Sequence, residues 1–181
     1  MGHHVTKELT PLNIAVLTVS DTRSLENDTS GQCLQDRLTD AGHALADRKL
    51  IIDDIYQIRS EVSQWIASET VQVVLITGGT GFTSRDSTPE AVTPLLDKVV
   101  EGFGELFRKV SYELIGTSTI QSRALAGLTN GTLVFCVPGS TGACKDAWDN
   151  IIREQLDSRH GPCNFVPQLK KIDVALCETR G

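Results

Sequence analysis

No run of this sequence is apolar for long enough to cross a membrane, since a spanning helix needs about 20 consecutive apolar residues. Nor does a charged, apolar, small-residue leader precede the first apolar segment, so a cytoplasmic location is expected. Basic residues are in deficit: 17 Lys and Arg against 23 Asp and Glu leave a net charge of −6. An acidic chain argues against a nucleic-acid surface, yet a small phosphorylated ligand can still bind at a locally cationic site. The five cysteines, Cys33, Cys136, Cys144, Cys163 and Cys177, are odd in number and scattered, with no C-x-x-C and no histidine pair beside them. Reduced thiols are expected rather than disulfides or a zinc site. Aromatic residues make up 5% of the chain, too few to mark an interface by composition. What is present suffices for one core: 181 residues, 40% apolar, with no internal repeat and no linker. The chain reads as a single domain over 1–181, with a core over about 13–156 and a tail over 158–181 that wraps or frays. His3 and His4 fall in a polar N-terminal arm over 1–10, where a frayed terminus is expected rather than a metal site.

One stretch organises the rest. Val71, Val73, Val74, Leu75 and Ile76 form a short, β-branched apolar run, the pattern of a strand covered on both faces. It stops at Thr77-Gly78-Gly79-Thr80-Gly81, where missing Cβ atoms suit a sharp turn or a close approach to a ligand. Ser84-Arg85-Asp86-Ser87-Thr88-Pro89-Glu90 follows. Ser87 or Thr88 can cap a helix, Glu90 fits a capping box with Ser87, and Pro89 suits a first helical turn. Strand, glycine loop and helix start together offer free N–H groups to a phosphate. A Walker loop is excluded, because Phe82 follows Gly81. The dinucleotide fingerprint is excluded too, because Ser84 stands where its third glycine belongs.

The first apolar strand, Asn13 to Val19, leads into a second loop rich in hydroxyls and acids, Ser20-Asp21-Thr22-Arg23-Ser24. Leu34, Leu38 and Ala41 mark a helix ended by Gly42, Ala44 to Ile52 a strand, and Ile55, Ile58, Val62, Trp65 and Ile66 an amphipathic helix. Pro94 predicts two short helices or a kink. A further helix is expected on Leu106, Phe107, Val110, Leu114 and Ile115, after Gly102-Phe103-Gly104. Two β runs, Ala124–Leu128 and Thr132–Val137, meet around Asn130-Gly131, a strong hairpin signal. The second ends in Pro138-Gly139-Ser140-Thr141-Gly142, and Cys144, Trp148, Ile151, Ile152 and Leu156 form a closing helix. This order predicts helices on both faces of a mostly parallel sheet with one antiparallel member. The loops after the first, third and last strands can then share one cleft. By position alone, Asp53 reads as a surface carboxylate beside Asp54, and Asp86 equally as a helix cap or a metal ligand.

Thr77-Gly-Gly-Thr-Gly81 followed by Arg85-Asp86-x-Thr88-Pro89-Glu90-Ala91 resembles the signature of the molybdenum cofactor biosynthesis MoaB/MogA family. Asp28-Thr-Ser-Gly31, Gly102-Phe-Gly-Glu105, Ser122-Arg123 and Pro138-Gly139-Ser140 follow the same pattern in order. The resemblance runs from about Asn13 to Leu156, closest to the MoaB branch. It implies a three-layer α/β/α sandwich with a mixed sheet, assembled as a homotrimer or homohexamer. It implies molybdopterin as substrate, adenylylated with ATP and Mg²⁺ before molybdate insertion, and a contact with the protein that performs that insertion. The two aspartates of active members match Asp53 and Asp86, as catalytic and metal-holding residues. Substrate contacts are expected at Ser20, Asp21, Thr77, Gly78, Gly79, Thr80, Gly81, Arg85, Thr88, Ser122, Arg123, Pro138, Gly139 and Ser140. Gly142 departs from the family, where lysine or asparagine is commoner, and Lys145 is a displaced substitute. The alternative is a molybdopterin-binding scaffold that has lost the reaction; a third reading is a nucleotide-binding signalling module. A bulky side chain at Gly79 or Gly81 is expected to block the ligand.

Overall fold

A computed structural model describes residues 8–172; His3, His4, Cys177 and the last part of the tail lie outside them. The chain runs β1 (Asn13–Val19), α1 (Thr29–Asp40), β2 (Ala44–Ile51), α2 (Ile55–Ala67), β3 (Val73–Thr77) and α3 (Thr88–Val92). It continues with β4 (Lys98–Val99), α4 (Glu101–Ile115), β5 (Leu125–Thr129), β6 (Thr132–Val137) and α5 (Thr141–Ala147). A π-helical turn, Trp148–Ile152, carries α5 on into α6 (Arg153–Gln155).

The six strands pair in the order β2-β1-β3-β6-β5-β4. β1, β2, β3 and β6 are parallel, and β5 runs antiparallel to both of its neighbours, which makes it the one reversed strand. Asn130 and Gly131, both at positive φ, make the tight β5–β6 turn. The central strands are apolar throughout because both faces are covered. Ile14, Val16, Val73, Leu75, Leu133 and Phe135 face one core; Ala15, Leu17, Val74, Ile76, Val134 and Cys136 face the other. The first core is closed by Leu34 and Leu38 of α1, Phe103 and Phe107 of α4, and Trp148. The second is closed by Ile58, Val62 and Trp65 of α2 and by Ala91 and Val92 of α3. The result is the expected three-layer α/β/α sandwich.

Three local expectations change. α4 begins at Glu101, before Gly102-Phe103-Gly104, since Phe103 packs edge-on to Phe135 at 5.0 Å between ring centres. A Cβ on Gly104 would lie 2.7 Å from the Ala124 carbonyl oxygen, so that glycine lets α4 lie close to the sheet. Leu106, Leu114 and Ile115 point outward instead of into the core. Pro94 sits within a short 3-10 helix, Thr93–Leu95, directly after α3, which gives the two short helices expected, but the two-residue strand β4 that follows has no pattern in the sequence. The tail wraps as far as residue 172: Leu169 is buried, and the Lys170 ammonium donates to the carbonyls of Ile66 and Ser68 at the end of α2. Among the described residues no helix is long and apolar enough to cross a membrane.

Candidate functional site

β1 and β3 lie side by side, but the chain leaves them for opposite edges of the sheet. Their C-terminal ends form the switch point at which α/β sheets open a crevice. A cleft of about 690 Å³ lies there, lined by the loops that follow β1, β3 and β6. The glycine loop is bent by Gly78 and Gly79, at φ +104° and +64°. A Cβ on Gly78 would sit 2.1 Å from the Val19 carbonyl oxygen. Gly139 packs backbone to backbone on Gly78, with the Gly78 N–H donating to Val137. Glycine is needed here so that three loops can meet without side chains between them.

Of the residues expected to contact substrate, Ser20, Gly78, Gly79, Thr80, Gly81, Ser122, Pro138, Gly139 and Ser140 line the cleft, as does Asp86. Thr77, Thr88 and Arg123 stand behind that lining, and Asp21 and Arg85 lie exposed outside it. Thr77 donates its hydroxyl to the Pro138 carbonyl, and Thr88 donates its own to the Gly78 carbonyl, so both brace the glycine loop. Arg123 donates to the Gly81 and Asp86 carbonyls and pairs with Glu90. Arg85 pairs with Asp21 at 2.9 Å, and the other Asp21 oxygen accepts the Asp53 N–H. The capping box of Ser87 and Glu90 does not form, because Ser87 turns its hydroxyl to Asp53 and Glu90 turns to Arg123.

The two aspartates flank the glycine loop. Asp53 accepts the Ser87 N–H and hydroxyl on one oxygen; the other lies 2.5 Å from where a Gly79 Cβ would be. Burial raises its carboxyl above the usual carboxylate range, opposed by Ser87 and reinforced by the charges of Asp86 and Asp21. Burial acts the same way on Asp86, but the Thr83 hydroxyl and N–H outweigh it and hold that carboxyl below its usual range. Asp86 stands in the same way beside Gly81, though less tightly, where a Cβ would come 2.9 Å from it. Glycine at 79 therefore makes room for Asp53 and Thr88, rather than for ligand in the cleft. In Gly79→Ala the strained φ alone costs about 1–2 kcal/mol. Asp53 is also pushed aside, so we expect lower stability and lower turnover with ligand affinity kept. Urea denaturation beside equilibrium binding checks this.

Sequence reasoning passed over part of the lining. Arg23, at the end of the β1 loop, brings a cation into the cleft while its guanidinium also donates to Ser30 and stands 3.7 Å from Asp28. Ser118, Thr119 and Gln121, from the 3-10 segment Gly116–Gln121, form the far wall with Phe107, Ser111 and Ile115 of α4. The run Gly116-Thr-Ser-Thr-Ile-Gln-Ser122 repeats the hydroxyl-rich character of the other loops, which was the available signal. Asp146 lines the cleft from α5, on a helix whose sequence reads only as core packing.

The model of the probable molybdopterin binding domain matches residues 15–158. The chain belongs to this molybdopterin-binding family. Within the family it is similar to the molybdenum cofactor biosynthesis protein B of Escherichia coli (strain K12), 58% identical over 167 residues, spanning 92% of this chain and 98% of that protein. A crystal structure of a molybdenum cofactor biosynthesis protein B superposes with a TM-score of 0.79 at 44% identity, covering 81% of this chain and 92% of that one. The tungsten cofactor synthesizing protein MoaB of Pyrococcus furiosus superposes with a TM-score of 0.72 at 36% identity, covering 80% and 92%. The chain is thus a molybdenum cofactor biosynthesis protein carrying the family's molybdopterin-binding domain.

Proposed function

We propose that this protein is a cytoplasmic molybdopterin adenylyltransferase, a single domain that joins molybdopterin to the adenylyl group of ATP and releases pyrophosphate. The observation that carries this reading is the pair of carboxylates, Asp53 and Asp86, held against the glycine loop, Asp86 in the cleft lining beside Gly81 and Asp53 against Gly79 just outside it. Among the described residues one Asp53 oxygen accepts no hydrogen bond, and the charges of Asp86 and Asp21 press on this carboxylate while Arg85 is the cation nearby. That donor set fits Mg²⁺. Among the described residues no group of three acidic, histidine or cysteine side chains converges, so the remaining ligands would be phosphate oxygens and water. Bound there, the metal would stabilise the charge that gathers on the phosphates.

The terminal phosphate oxygen of molybdopterin forms a bond to the α-phosphorus of ATP. The bond from that phosphorus to the β-phosphate bridging oxygen breaks, and pyrophosphate leaves with the electron pair. No side chain need form a covalent bond. Arg23 lines the cleft beside the glycine loop and can neutralise phosphate charge, and Asp21 holds both Arg85 and the Asp53 backbone in place. Incubation with molybdopterin, ATP and Mg²⁺ should give adenylylated product and pyrophosphate, and chelation of the metal should stop both. Binding of molybdopterin without product would leave the scaffold reading, which the absence of a side chain at Gly142 favours: a side chain there would meet nothing within 4 Å.

The outward side of the far wall supports a homotrimeric or homohexameric assembly. Tyr112, Leu114 and Ile120 are all more than half exposed there, and Ile120 reaches 77%. Light scattering at micromolar concentration should return a multiple of three chains; a mass near 20 kDa would defeat the assembly. A contact with the molybdate-insertion protein fits a product that must be handed on.

A further inference from the structure

One group in the cleft has no part in phosphate chemistry. Asp146 lies one turn along α5 from Gly142 and lines the cleft with Phe107, Ser111 and Ile115 of α4, the helix against which α5 packs. Among the described residues its carboxylate takes part in no hydrogen bond or ion pair; only its backbone carbonyl is used, by Asn150. Lys145, its neighbour in the chain, borders a separate hollow with Cys33 and Arg37. Burial and the charge of Asp149 push the Asp146 carboxyl above its usual range, so the folded protein gains nothing from keeping it ionised. A half-buried carboxylate without a partner also repels any phosphorylated ligand. Both costs vanish if the ligand brings N–H donors to it.

We propose that Asp146 binds the pyrimidine edge of the pterin, its two oxygens accepting the ring N3–H and the 2-amino N–H side by side. This rests on the pterin ligand proposed above. It fixes the ligand's direction, with the ring edge at Asp146 beside the apolar surface of Phe107 and Ile115, and the phosphate at the glycine loop. Paired N–H donors on a carboxylate form the strong, charge-assisted kind of hydrogen bond and give geometric selectivity. Guanine presents the same 2-amino-4-oxo edge, so guanine nucleotides share the chemistry.

The test compares full-length protein and Asp146→Asn by fluorescence titration with 6-hydroxymethylpterin and 6-hydroxymethyllumazine, whose 2-oxo group replaces the amine. GMP and molybdopterin complete the set. The original protein should prefer the pterin to the lumazine by roughly tenfold to a hundredfold, the range of hydrogen bonds to a charged group. In Asp146→Asn the preference should fall to about one or reverse, because the amide N–H now meets the 2-oxo group. Inorganic phosphate affinity should not fall and should rise modestly, because one negative charge has left the cleft. Having no protein partner, the variant should melt at or slightly above the original temperature, so misfolding does not confuse the result. An unaltered pterin preference in Asp146→Asn, with molybdopterin still bound by both proteins, overturns the Asp146 assignment and leaves the adenylyltransferase reading standing. No molybdopterin binding by the original protein overturns both. GMP binding more tightly than either pterin, with the same loss in Asp146→Asn, supports recognition of the edge and overturns the pterin as its source.

Discussion

Asp86→Asn and Asp53→Asn are expected to abolish most adenylyl transfer while leaving molybdopterin bound. Each change keeps size and shape and removes one negative charge from beside the glycine loop. Losing a ligand to a metal that stabilises transition-state charge lowers turnover by orders of magnitude, whereas ground-state binding of a phosphate should persist or tighten. The two variants should differ in stability. The Asp53 carboxyl titrates above its usual range, so its ionised form is the less stable one when folded; asparagine there should leave the melting temperature unchanged or raise it. The Asp86 carboxyl is held below its usual range by the Thr83 hydroxyl and N–H against the effect of burial, so asparagine there gives up some stability. Single-turnover rates with equilibrium binding decide the matter. Normal turnover by Asp86→Asn, or a loss of pterin affinity equal to its loss of rate, would remove Asp86 from the proposed chemistry.

The largest loss of stability is expected at Asp28, which the cleft never touches. Its fully buried side chain accepts from the Gly31 N–H that starts α1, from the Thr18 hydroxyl at 2.7 Å and from Arg48 at 3.1 Å. Burial opposes ionisation, but those donors outweigh it and hold the carboxyl below its usual range. Asp28→Ala leaves the largely buried Arg48 guanidinium without its carboxylate, with only neutral acceptors on Gln32, Gln35 and the backbone. The change should cost roughly 3–5 kcal/mol, read from urea denaturation at neutral pH. The pH dependence follows from a lowered folded-state pKa: the stabilisation is present above the unfolded value, near ~3.9, and is lost as pH falls through the folded one. The original protein should therefore lose more stability than Asp28→Ala on acidification. An equal loss in both would mean that Asp28 is not the hub.

The sheet was legible where burial dictates composition. β1, β3 and β6 are apolar on both faces because two cores contact them, and the Asn130-Gly131 turn left one reading for the reversed strand. β4 was not legible, since Lys98 and Val99 are both exposed and two residues carry no period. At the site, glycines and hydroxyls located the loops but not the direction of each side chain. Thr77, Thr88 and Arg123 have the chemistry of phosphate ligands, yet tertiary contacts commit them to carbonyls behind the loop. Whether a polar group faces a ligand or a neighbouring carbonyl depends on partners distant in sequence: Thr77 and Pro138 are 61 residues apart, Arg123 and Gly81 are 42. Asp146 is the converse case. Its helix is patterned for the core, and only the packing of α4 reveals that one side of it borders the cleft.

The strand order also governs how the chain reaches this state. β5 and β6 pair across a two-residue turn and need only local contacts, whereas β1 must find β3 about 60 residues later, Val16 against Leu75. Hairpins close in roughly 1–10 μs, while non-local parallel pairing must first meet the entropy of closing a long loop. The hairpin therefore forms early, and the register between β1 and β3 is settled late. Since the cleft opens at the ends of those two strands, ligand binding should be the last property recovered on refolding, after the helical signal and after burial of Trp148.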